Sequence, residues 1–114
     1  MPRIDIAVTE LPGSWSTTAK AVTWTSANPT ENHRFKATGY EILLVRNTNA
    51  TTARQFTVVS TPDQAGRTGD LVHTVPANGT AVTQVFPLIG WVQSDGYVYV
   101  NTQADLQFAV LRIL

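Results

Sequence analysis

The sequence predicts an all-β domain, a single antiparallel β-sandwich of jelly-roll-like kind, and three observations carry that prediction. Short runs rich in Val, Ile, Thr and aromatic residues alternate in polarity with a period of two. Pro, Gly and Asn punctuate these runs, and no segment sustains a helical period. Charged residues make up 14% of the chain, against ~25% in typical soluble domains. Thr and Val take their place, and Thr is the polar side chain that suits a pleated surface. With 114 residues the chain is one domain, residues 1–114, large enough to bury roughly two thirds of its unfolded surface without a metal or disulfide.

The first expected strand runs from Ile4 to Leu11, with Ile4, Ile6 and Val8 alternating against Asp5 and Thr9, and Pro12-Gly13 stops it. Ser14 to Thr30 is rich in Ser, Thr, Ala and Asn and carries Trp15 and Trp24. Ala21 to Thr25 reads as a short strand closed by Asn28-Pro29, and Glu31 to Lys36 is polar. Residues 1–36 therefore have two readings: an arm or long loop that contacts neighbours, or one added strand followed by a packed loop.

Tyr40 to Asn47 is apolar on both faces through Ile42, Leu43, Leu44 and Val45, as in a central strand covered on both sides. Gln55 to Ser60 alternates, with Phe56 and Val58 on one face. The stretch from Gly69 to Phe86 reads as a hairpin around Asn78-Gly79, a dipeptide that tolerates the positive φ of tight turns. On its arms Leu71, His73 and Val75 share one face, as do Ala81, Thr83 and Val85. Pro76 makes the connection longer than a minimal turn. Leu88 to Val92 carries Ile89 and Trp91 around Gly90. Asp95-Gly96 is a second turn before Tyr97 to Asn101, where the tyrosines point one way and Val98 and Val100 the other. Leu106 to Ile113 closes the chain as a second strand apolar on both faces, hence central.

Little in the sequence carries chemistry. The chain has no cysteine, so thiol catalysis, Cys-based zinc sites and disulfides are excluded. His33 and His73 are isolated, with only Glu31 and Asp70 near them, and are expected as half-buried or surface residues rather than metal ligands. No nucleophile elbow or phosphate loop is present. The expectation is a protein that is not an enzyme and needs no cofactor. Formal net charge is zero with Lys and Arg scattered, which argues against a nucleic-acid partner. No apolar run approaches the ~20 residues that span a bilayer, and the N-terminus lacks the apolar core of a secretory signal. Synthesis and use in a cytoplasm, or in something assembled there, is expected. Asn49-Ala50-Thr51 and Asn78-Gly79-Thr80 match the glycosylation pattern but read as turn chemistry. Trp15, Trp24 and Trp91 all fall in irregular segments, where they plug the ends of the sandwich, anchor a protein interface, or stack on sugars.

From Gly39 onward an ordered series of motifs brings a family into view. Leu43-Leu44-Val45-Arg46-Asn47 is followed by Phe56-Thr57-Val58, Gly66-Arg67-Thr68-Gly69-Asp70 and Val75-Pro76-Ala77-Asn78-Gly79-Thr80. Phe86-Pro87, Asp95-Gly96-Tyr97-Val98 and Ala109-Val110-Leu111-Arg112 complete it. The series resembles small all-β virion proteins of tailed bacteriophages, in particular head decoration (cement) proteins; the first third of the chain does not share the likeness. The resemblance implies a structural protein on the capsid surface of a virion, synthesised in a host cytoplasm, with the major capsid protein as partner. A homo-oligomer is then expected, with a trimer suited to a threefold lattice position. A neck or tail structural protein, or a non-catalytic carbohydrate-binding β-sandwich module, is also compatible with the residues.

Overall fold

The computed structural model describes residues 3–11, 19, 21–61, 69–86 and 88–112. Their strands are β1 (Ile4–Asp5), β2 (Val8–Glu10), β3 (Thr25–Ser26), β4 (His33–Lys36), β5 (Glu41–Asn47), β6 (Arg54–Val58), β7 (Leu71–Val75), β8 (Thr80–Val82), β9 (Tyr97–Thr102) and β10 (Leu106–Arg112). They form a β-sandwich of two sheets. The first has the order β1-β4-β9-β6-β7; the second has β2-β10-β5-β8, with β3 also on β10. Pairing is antiparallel except at two edges, where β1 runs parallel to β4 and β2 parallel to β10.

Period-two side chains fill the space between the sheets. Phe35, Phe56, Val58, Val75, Val98 and Val100 of the first sheet meet Leu43, Val45, Leu106, Phe108 and Val110 of the second, all essentially without solvent exposure. Phe56 meets Phe108 edge-on at 5.8 Å between ring centres, and Phe35 packs on Phe86 at 6.2 Å. Both expected central strands are central: β10 lies between β5 and the edge pair β2 and β3, and β5 lies between β10 and β8. The inward positions of β5 end in two buried polar groups, Glu41 and Asn47.

Four expectations are corrected. The run from Ile4 to Leu11 is two strands rather than one: β1 lies in the first sheet, the chain crosses at Ile6-Ala7, and β2 lies in the second. The stretch from Gly69 to Phe86 is not a hairpin, because β7 pairs with β6 while β8 pairs with β5 in the other sheet. Its turn is centred one residue earlier than expected, with Gly79 N–H donating to Pro76 O at 2.8 Å and Asn78 at φ 57°. The polar stretch Glu31 to Lys36 contains β4, paired between β1 and β9 and contributing Phe35 to the core. His33, expected half-buried or at the surface, is wholly buried.

The errors at Ile4–Leu11 and Gly69–Phe86 share one cause. Both sheets face the same interior, so a chain that crosses between them keeps its inward alternation. The expected faces within β7 and β8 are correct: Leu71, His73 and Val75 are more buried than Val72 and Thr74, and Ala81 and Thr83 more than Val82. Past β8 the alternation ends, and Phe86, expected on the same face as Val82 and Gln84, is buried in the core. Periodicity shows which side of a strand meets the core, and is silent on which sheet the strand joins.

Candidate binding surface

Among the described residues, three exposed large apolar side chains come together where β5 begins. Thr38, Gly39, Tyr40, Leu88 and Ile89 line an open depression of about 400 Å³. Tyr40, Leu88 and Ile89 are 48%, 53% and 56% exposed, so water meets three large apolar side chains grouped together. Such grouping marks a contact surface more often than scattered exposed residues do.

Both walls of the depression are firmly held. On one side the Thr38–Tyr40 turn wraps the buried Glu41 carboxylate. Oε1 accepts the Thr38, Gly39 and Tyr40 N–H groups at 2.6, 3.2 and 3.3 Å, and Oε2 accepts the Thr38 hydroxyl at 2.6 Å. Arg112 Nε donates to Oε2 at 2.6 Å and bridges onward to Glu10 at 3.2 Å. Burial alone pushes the Glu41 carboxyl up, but the Thr38 hydroxyl, Arg112 and the Thr38 N–H outweigh it and hold the group below its ordinary range. Gly39 sits at φ 96°, a conformation that L side chains rarely adopt. On the other side a short turn at Leu88–Trp91 carries Leu88 and Ile89 outward. Its hydrogen bonds run from Val92 N–H to Leu88 O at 3.2 Å and from Thr61 N–H to Gly90 O at 2.8 Å. Trp91 roots this turn by meeting Phe86 edge-on at 5.4 Å.

From Tyr40 the outward positions of β5 continue as Ile42 and Leu44, half-buried. In register, Ile42 lies beside Leu111 of β10, and Leu44 between Ala109 of β10 and Val82 of β8. Val82 is 60% exposed. The outer side of the second sheet is therefore apolar at this end. Farther along it Arg46 stacks on Trp24 at 4.3 Å from the ring centre.

The outer side of the first sheet is different in kind. Arg34 lies over the Tyr97 ring at 4.0 Å and Arg3 over Tyr99 at 4.4 Å. Arg34 also pairs with Asp5 at 2.7 Å, and the Tyr99 hydroxyl donates to Asp95 at 2.6 Å. That hydroxyl is the main reason the Asp95 carboxyl stays below its usual range, while Asp95 in turn raises Tyr99. The tyrosine faces are thus occupied by the protein's own guanidinium groups.

The three tryptophans are not brought into one site among the described residues. Trp15 lies outside them; Trp24 is half-buried against Arg46; Trp91 is half-buried and packs on the core. His33 Nε2 accepts the Asn28 N–H at 2.9 Å, which holds the ring neutral. Burial pushes its pKa below the ordinary value, opposed by the Ile4 carbonyl and assisted by the Arg3 charge. His73 is half-buried and packs on Phe56 at 5.2 Å. No group of three or more His, Asp or Glu suited to a metal ion occurs among the described residues.

Sequence reasoning missed Tyr40, Leu88, Ile89 and the brace at Glu41. The available signal was Leu88-Ile89 flanked by Pro87 and Gly90, an apolar pair inside turn chemistry. Comparison with known proteins returns no match: no family model, no curated protein and no solved structure matches this chain.

Proposed function

We propose that this chain is a structural virion protein, a head decoration (cement) protein that binds the outside of a tailed phage's major capsid lattice. The proposal begins from the ordered motifs between Gly39 and Arg112. The structural observation that supports it is the apolar depression formed by Tyr40, Leu88 and Ile89, whose walls are held by the Glu41 hydrogen bonds and the Trp91–Phe86 contact. A protein that seats on a repeating shell needs a firm apolar contact whose geometry is set before binding, because ordering it on contact costs affinity. The Glu41 carboxylate and the Trp91 root supply that firmness from either side. Binding as a homo-oligomer, with a trimer at a threefold position, would multiply a modest contact across several equivalent sites.

Mass spectrometry of purified particles of the encoding phage tests the reading, with this protein expected in many copies. Its absence from those particles would overturn the proposal. The surface itself is tested by Leu88→Ser and Ile89→Ser, both at well-exposed positions. These variants should keep the parent's unfolding midpoint and lose retention on capsids lacking the native protein. Full retention would show that another face makes the contact.

A further inference from the structure

We propose that residues 3–11 form an exchangeable strand, which leaves its own sandwich and fills the same seam in a second copy of this chain. The argument begins with where this segment makes its contacts. Ile4 N–H donates to Asn32 O at 3.0 Å and Ile6 N–H to Arg34 O at 2.8 Å. Arg3 donates to Asn101 Oδ1 at 2.7 Å and to His33 O at 3.2 Å. Val8, Thr9 and Glu10 lie in register with Val110, Leu111 and Arg112, and Leu11 N–H reaches Arg112 O at 3.4 Å. Every one of these partners lies at position 32 or beyond. The seam is built by the body of the domain, and the same segment from a second copy finds an identical set of partners.

Release of the segment costs a limited set of contacts, chiefly the packing of Ile6 and Val8 on the core and the cover over His33. Ile6 is its one fully buried side chain, and its ladders are two and three residues long. The Asp5–Arg34 and Glu10–Arg112 pairs leave their carboxylates 61% and 67% exposed, where water and salt screen them. Pro12, next in sequence, has no N–H with which a ladder could be continued. Once it leaves, the edges of β4 and β10 lose a neighbour each, and unpaired edges recruit strands. Entry is directional. Asp5 must meet Arg34 at one end while Glu10 meets Arg112 at the other, and both pairings require the parallel sense.

Closed and exchanged forms contain the same contacts, so concentration decides between them, and crowding of copies on any surface favours exchange. The inference does not depend on that surface being a capsid.

The native chain has no cysteine, which makes disulfide trapping selective. Thr9 and Leu111 are neighbours in register and both are half-buried. The single variants Thr9→Cys and Leu111→Cys, mixed in equal amounts at high concentration and oxidised, should yield a dimer whose disulfide joins position 9 of one copy to position 111 of the other. Each variant oxidised alone should yield almost none. The double variant, oxidised when dilute, should lock the strand at home and remain monomeric by light scattering at concentrations where the parent associates. Reduction should restore association. A parent that stays monomeric at every accessible concentration would overturn the proposal. So would a locked variant that associates as the parent does, or a mixture that gives no joined dimer.

Discussion

The chain closes its sandwich along two seams, and the two are built in opposite ways. At one, β1 and β2 form a nearly continuous run that passes between sheets at Ile6-Ala7, pairs in parallel at two edges, and is tied by exposed ion pairs. At the other, β7 reaches β8 through the Pro76–Gly79 turn, which is held by hydrogen bonds from the buried Asn47 and by one from Asn78. Asn47 Nδ2 donates to Val75 O at 3.1 Å and Thr52 O at 2.9 Å, Asn47 N–H donates to Gly79 O at 2.8 Å, and Asn78 N–H donates to Asn49 O at 3.0 Å. Buried hydrogen bonds are expensive to break because their groups lose water as well as partners. Exposed ion pairs exchange one polar neighbour for another at little cost. The molecule thus has a welded side and a laced side, and the lace is the side suited to opening.

The largest expected effect comes from Glu41, which anchors the lace through Arg112 and also braces the depression. Glu41→Ala leaves Arg112 with the exposed Glu10 as its one carboxylate among the described residues and removes the acceptor of three buried-site backbone N–H groups, so a loss of about 3 kcal/mol is expected by chemical denaturation. A loss below about 1 kcal/mol would show that water replaces the carboxylate freely. At the welded side, Gly79→Ala should cost about 1–3 kcal/mol. An added Cβ would stand 2.8 Å from Pro76 Cγ and 2.9 Å from Pro76 O. Unchanged stability there would mean that the turn relaxes easily and the two seams are alike.

Acid should act on the lace next. His33 lies beneath β1 with its pKa pushed below the ordinary ~6.5. The unfolded chain then binds a proton more readily than the folded one, so the His33 contribution is present above about 6.5 and is lost as pH falls below it. Glu41, also lowered, contributes above the ordinary carboxylate value and loses its contribution as pH falls through its folded value. Denaturation midpoints should therefore decline in two stages on acidification, and His33→Gln should remove the upper one. A flat profile between neutral pH and about 5 would contradict the buried neutral imidazole.

Asp5→Asn is expected to do least. It removes an exposed partner of Arg34 and should leave the unfolding midpoint within experimental scatter while speeding amide exchange at Ile4 and Ile6. Equal exchange at Ile6 and at Asn47 in the parent would erase the contrast between the seams.

Much of this protein was determined by the sequence itself. The class, the two central strands and the inward residues of β6, β7 and β8 follow from a period of two and from turn residues, because alternation is a local property of extended chain. The strand β4, with its inward His33 and Phe35, did not show in that pattern. Asn49 and Asn78 were legible as turn residues, since a short amide side chain can satisfy nearby N–H groups or accept positive φ. Asn49 Oδ1 accepts from Thr51 and Thr52 at 2.9 Å, and Asn78 has φ 57°. Only the tertiary structure decided that Ile4 to Leu11 would divide between sheets and that β7 would turn away from β8. Partner choice is made by residues far along the chain, and both sheets present the same apolar interior to an alternating strand. It also decided the candidate surface. Tyr40 and Leu88 are separated by four strands, β5 to β8, and Glu41 reads as one more polar residue until Arg112 is brought to it. Such meetings arise from closing the sandwich and leave no local pattern behind.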